Sequence, residues 1–171
     1  MCIRDRDNSY LWCLDSEGNP IWKIFIDGEV LTTPVINNQK AYVRLANYEI
    51  LQIDLKQGDI DLRYIHSSPS LAFNGTSALT FSEGVIYGGF GAGKIVAVHQ
   101  KSGAFIWEAN ISQVKGSTDI DRLNDVLSKP IINQSEVYAV STSGDLTAID
   151  RRNASITWTR KISSLKFFAS M

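Results

Sequence analysis

The chain has 171 residues, 44% of them hydrophobic, and its 17 Lys and Arg against 18 Asp and Glu leave a net charge of -1. That is about one soluble domain's worth of material, without the ~18 consecutive apolar residues of a membrane span, a basic start leading into an apolar run or the clustered positive charge of a non-specific nucleic-acid binder. Cys2, Cys13, His66 and His99 are too few for a disulfide framework, a cysteine-based zinc site or a multi-histidine metal centre.

Taken in chain order, one pattern recurs. Met1 to Arg6 continues no repeat and reads as a ragged start from an incomplete reading frame. The first copy is partial: Leu11-Trp12-Cys13-Leu14-Asp15, then Gly18 and Trp22, with one residue fewer in the turn. The second runs from Ala41-Tyr42-Val43 to Ile50-Leu51-Gln52-Ile53-Asp54, with Leu62 in the Trp position. The third runs from Ile86-Tyr87-Gly88-Gly89 to Ile95-Val96-Ala97-Val98-His99, followed by Trp107, and the fourth from Val137-Tyr138-Ala139 to Leu146-Thr147-Ala148-Ile149-Asp150, followed by Trp158. Periods of 39, 45 and 51 residues separate Asp15, Asp54, His99 and Asp150, which points to β-propeller blades or another array of four-stranded units.

Each copy reads as strands, because short runs rich in Val, Ile, Tyr and Thr alternate in polarity between turn residues such as Asn37-Asn38, Glu83-Gly84, Ser102-Gly103 and Ser143-Gly144. In the fourth copy the strands are expected at about 129–132, 136–141, 146–150 and 155–161. Pro34 and Pro130 stand where a first strand begins, a place that needs no ladder donor. The expected fold is all-β, one partial propeller domain over 1–171. Its parts are a partial blade (7–28), two blades (29–65 and 66–111), a blade with an inserted loop (112–162, loop 112–127) and the start of another (163–171).

The spacing of Asp and Trp has a mechanical reading. The Asp accepts hydrogen bonds from the backbone of the following turn, and the turn returns the chain so that the indole packs against the neighbouring blade. On this reading Asp15, Asp54, Asp150, Trp22, Trp107 and Trp158 are structural, and His99 makes the same turn bond. Gly88 to Lys94 approaches a phosphate-binding loop, but Ile95 follows the Lys where Ser or Thr is required and opens a strand instead of a helix. No Gly-x-Ser-x-Gly elbow is present. The insertion 112–127 is the most polar distinctive segment; Thr118 and Asp121 are spaced to cap one helical turn, and its Asp residues lack the glycine and distal Glu of a calcium loop. A long loop on a rigid scaffold is where a protein contact is expected.

These residues carry a resemblance. Ala148, Asp150 and Trp158 look like the repeat of quinoprotein-type propellers. More narrowly, Ile111-Ser-Gln-Val-Lys-Gly-Ser-Thr-Asp-Ile-Asp-Arg-Leu-Asn-Asp-Val126, followed by Pro130 and Gly144-Asp-Leu-Thr-Ala-Ile-Asp150, is similar to the BamB family, lipoprotein scaffolds of the bacterial outer-membrane β-barrel assembly machinery. The resemblance implies an eight-bladed propeller, of which about four blades are here as an open arc, held at the periplasmic face of the outer membrane by a lipid anchor absent from this stretch. It implies no catalytic residue, cofactor or metal. It implies binding to the periplasmic (POTRA) domains of BamA, through Leu71, Phe73 and Asn74 in one loop and Asp125 and Leu127 at the end of the insertion, and contact with unfolded outer-membrane proteins. Asn74 stands where a basic residue is usual in that family and Leu127 where an acid is usual, so one charge pair is missing or replaced. A quinone (PQQ)-dependent dehydrogenase and a propeller sensor or adaptor domain of a larger protein are the alternatives.

Overall fold

The computed structural model describes residues 2–5, 9–30, 32–47, 49–65, 77–111, 125–126 and 128–162. Fifteen strands and a single 3-10 turn (Gly91–Gly93) make up the regular structure, with no α-helix among the described residues. The first sheet is β1 (Cys2–Asp5), β2 (Tyr10–Leu14) and β3 (Pro20–Phe25). The second is β4 (Val35–Asn37), β5 (Lys40–Arg44), β6 (Glu49–Asp54) and β7 (Ile60–Ile65); the third is β8 (Thr80–Ser82), β9 (Val85–Gly89), β10 (Lys94–His99) and β11 (Phe105–Asn110); the fourth is β12 (Ile131–Asn133), β13 (Glu136–Val140), β14 (Asp145–Asp150) and β15 (Ile156–Lys161). All four are antiparallel meanders in which each strand pairs with its sequence neighbour, the arrangement short turns favour. The four strands expected in the fourth copy are present within two residues at each end, and β4 and β12 begin directly after Pro34 and Pro130. Cys2–Asp5, which carries no repeat pattern, nonetheless pairs with β2, Cys2 opposite Cys13 and Asp5 opposite Tyr10. Ladder bonds are made by the backbone, so such a strand leaves little trace in side-chain pattern.

The repeat is visible atom by atom in the turn before the last strand of each sheet. The backbone N–H of Asp54 donates to the carbonyl of Asp59, that of His99 to Ala104 and that of Asp150 to Ser155, whereas that of Asp15 donates to Asn19, one residue sooner. The Asp15 carboxylate accepts the N–H groups of Glu17 and Asn19, Asp54 those of Lys56 and Gln57, and Asp150 that of Arg152. These bonds hold the Asp15 and Asp150 carboxyls below the usual carboxylate range, through Asn19 and Arg152 respectively. At the third copy the expectation is met only in part: His99 Nδ1 lies 3.2 Å from Ser102 Oγ, and it is this hydroxyl that accepts the turn N–H of Ala104, at 3.3 Å. Each sheet then carries a one-residue bulge, between Cys13/Leu14, Gln52/Ile53, Ala97/Val98 and Ala148/Ile149. The bulge sets Trp22 opposite Cys13, Leu62 opposite Gln52, Trp107 opposite Ala97 and Trp158 opposite Ala148, and turns Trp22 and Trp107 towards the next sheet.

The chain divides into two compact units, Met1–Ser67 and Ser68–Met171. In the first, Leu11, Cys13, Trp22 and Ile26 pack against Val30, Ala41, Val43, Leu51 and Ile53. Trp22 Nε1 donates to the carbonyl of Leu55 at 2.8 Å. A Cβ on Gly58 would come within 2.9 Å of the indole, so this turn glycine lets the ring lie on the backbone. In the second unit Ile95, Ala97, Trp107, Ala109 and Ile111 pack against Val126, Val137, Ala139 and Ile149. Trp107 Nε1 donates to the carbonyl of Arg151 at 2.7 Å. The acceptor is in each case the residue after the Asp of the next sheet, which is how a buried indole satisfies its one donor.

Candidate partner-binding surface

The loops that carry the candidate contacts each lead from the last strand of one sheet to the first strand of the next. Leu71, Phe73, Asn74 and Leu127 lie outside the described residues, as do Thr118 and Asp121. The feet of both loops are described, and they meet. Ser77, fully buried just beyond the first loop, donates from Oγ to the carbonyl of Ser128 at 2.8 Å. Ser128 Oγ in turn accepts the N–H of Val140 at 3.1 Å. Val126 is buried beside them, its N–H bonded to the carbonyl of Phe90 at 3.2 Å and its backbone bridged to Ser141. The convergence depends on Gly89, since any side chain there would collide with Val126 and approach Ser77 Oγ to 2.8 Å.

Asp125 is also turned inward. It is 0% exposed. Its N–H donates to Thr142 Oγ1 at 3.1 Å, its carbonyl accepts the N–H of Thr142 at 2.8 Å, and its Oδ1 accepts the N–H of Ala92 at 2.8 Å. Ala92 presents that N–H from a left-handed backbone, φ 57°, within the Gly91–Gly93 turn. The main-chain part recurs in the first unit, where Val30 bridges Leu45 and the N–H of Ala46 donates to the carbonyl of Glu29 at 2.8 Å. Glu29 and Asp125 each stand 25 residues before the Asp of their copy. That register was the available signal that Asp125 belongs to the blade's entry; nothing in the sequence marked Ser77, Ser128, Thr142 or Ala92.

The opposite ends of the third and fourth sheets hold a different feature. Arg151 donates from Nε to Tyr87 Oη (3.1 Å), from Nη1 to the carbonyl of Gln134 (2.6 Å), and from Nη2 to Ser82 Oγ (3.2 Å) and Glu83 Oε2 (3.1 Å). It stands in a cleft of about 420 Å³ lined also by Val85, Ser135 and Arg152. With its donors engaged by both sheets, Arg151 cross-links them and is not poised for a reaction. Among the described residues no three His, Cys, Asp or Glu side chains converge as metal ligands would.

Residues 4–169 match the family described as outer membrane protein assembly factor BamB. The chain belongs to this family. It is 34% identical over 152 residues to BamB of Yersinia pestis and 33% identical over 153 residues to BamB of Escherichia coli K12, covering 89% and 90% of this chain and 39% of each relative. The chain thus spans about two fifths of the length of the curated BamB relatives it matches. The crystal structure of BamB from Moraxella catarrhalis superimposes with a TM-score of 0.84 over 96% of this chain and 50% of that one, at 24% identity. Repeat and insertion had pointed to propeller blades and to the BamB family, and both are upheld.

Proposed function

We propose that the chain is part of a non-enzymatic scaffold for outer-membrane protein assembly, working at the periplasmic face of the bacterial outer membrane. It binds the periplasmic POTRA domains of BamA through loops 66–76 and 112–127 and aids delivery and insertion of β-barrel proteins, whose unfolded chains are a second class of partner. The observation that carries the reading is the Ser77–Ser128 hydrogen bond, which brings the feet of two loops 51 residues apart to one buried point. Two apolar residues of the first loop, Leu71 and Phe73, then supply the anchor that protein interfaces concentrate in a few side chains. The relatives matched are named as assembly factors, which agrees with this role.

The test is calorimetric titration of the isolated POTRA domains into the chain. Replacing Leu71 and Phe73 together with Glu is expected to weaken binding by at least about 100-fold, as loss of a hot spot does, while the urea midpoint stays unchanged. Unaltered affinity removes the loop assignment. Alcohol oxidation appearing on addition of the quinone cofactor and calcium would turn the reading to an enzyme.

A further inference from the structure

Asp125 ends the insertion, and the resemblance implied that it touches BamA. The side chain is buried, and Oδ1 is spent on the N–H of Ala92 in the turn of the preceding sheet. The first unit shows what the main chain does by itself: Glu29 and Val30 tie the incoming chain to Leu45 and Ala46 on the same sheet. Asp125 repeats those ties through its carbonyl, which accepts the N–H of Thr142, and Val126 through Ser141; its own N–H adds a bond to Thr142 Oγ1, and two further bonds reach the neighbouring sheet, Val126 N–H to the carbonyl of Phe90 and the Asp125 carboxylate to the N–H of Ala92. These added bonds come where the connection is long, 14 residues between Ile111 and Val126 against three between Ile26 and Val30.

We propose that Asp125 is a positioning residue, which works from inside the blade by clamping the foot of the 112–127 insertion onto the Gly91–Gly93 turn and so sets the spacing of the two partner-binding loops without meeting the partner. A short carboxylate suits this task, because it accepts a charge-assisted bond from a backbone N–H on one methylene of reach. The proposal rests on the BamA reading above for its consequence, though the clamp can be tested without it.

The experiment compares Asp125→Ala with Asp125→Asn, which keeps an acceptor oxygen and removes the charge. Two quantities are read: POTRA-domain affinity by calorimetry, and hydrogen exchange at the Ala92 amide. Asp125→Ala is expected to speed Ala92 exchange and weaken binding, each by about tenfold, the cost of one buried charge-assisted bond. Asp125→Asn is expected to hold both within about threefold of the parent chain. An Asn variant that binds as weakly as the Ala variant while Ala92 stays protected assigns the effect to a charge facing the partner and overturns the proposal, as does unchanged Ala92 exchange in Asp125→Ala. If Asp125→Ala does not fold, the Asn variant alone decides by the same two readings. If the parent chain does not bind POTRA domains, the functional reading fails while Ala92 exchange still decides the clamp.

Discussion

Each unit contains one junction between neighbouring sheets, and the two junctions share a wedge but differ in what surrounds it. At both, a Trp buried to below a tenth of its surface donates to the carbonyl after the next sheet's Asp. Around Trp22 lie aliphatic packing and the close approach of Gly58. Around Trp107 the apolar contact is laced with polar ties: Arg151 to Tyr87 and Ser82, Thr80 to the carbonyl of Pro130, Ser77 to Ser128. Burial and one indole bond are enough to seat a blade, since apolar area removed from water supplies most of the attraction. At the second junction polar ties are added at both ends of the sheets, only some of them at the foot of the insertion.

The largest effect tests the shared part. Trp22→Ala and Trp107→Ala are each expected to cost about 3 to 5 kcal/mol in urea titration. Trp158, in the same repeat position but 37% exposed, is expected to cost about 1 kcal/mol in this chain. Equal losses at all three would mean that the indole stabilises its own sheet and not a junction.

A smaller effect separates the units by pH. Lys40 Nζ lies 2.7 Å from both Asp54 and Asp61. This bond, with the N–H groups of Lys56 and Gln57, holds the Asp54 carboxyl down to about 2 and raises Lys40. A carboxyl depressed in the folded state adds stability above its unfolded pKa near 4, lost as the pH falls towards 2. Lys40→Met should therefore lower the urea midpoint at pH 7 and flatten its fall between pH 4 and 2. Parallel midpoint curves for parent and variant would show that the Lys40–Asp54 pair adds nothing. Asp150 is held down chiefly by the Arg152 N–H, so the same slope in the second unit should not answer to a lysine.

The smallest effect concerns a turn. Gly58 and Gly103 hold the left-handed position of theirs at φ 80° and 66°, while Ala154 holds the equivalent at φ 62°. Ala154→Gly is expected to stabilise by up to about 1 kcal/mol by relieving the left-handed Ala, seen as a higher Tm. A fall would mean that the Ala154 methyl, which packs on the second core, outweighs the strain.

What could be read from the sequence was whatever repeats. The Asp turns, the wedge Trp residues, the shorter first turn and the strands after Pro34 and Pro130 all follow from local bonding rules applied at a fixed period. Asp125 could be placed at the end of the insertion but not seen to face inward, because its orientation is decided by the Ala92 N–H, 33 residues away. Nothing in the sequence singles out Arg151 either; its four acceptors come from residues 17 to 69 positions distant. Long-range polar bonds leave no periodic mark, and the feet of the candidate loops are joined by them.

The half-open setting of Trp158 has an optical consequence. Trp22 and Trp107 sit away from water and should emit at short wavelength, whereas the indole of Trp158, ringed by Tyr138 on one side and the Arg160 guanidinium on the other, looks outward to solvent and should emit further to the red. With Trp12, the other partly exposed indole, replaced by Phe, whatever comes to cover the outer face of the fourth sheet will shift that emission towards the blue and so report its own arrival.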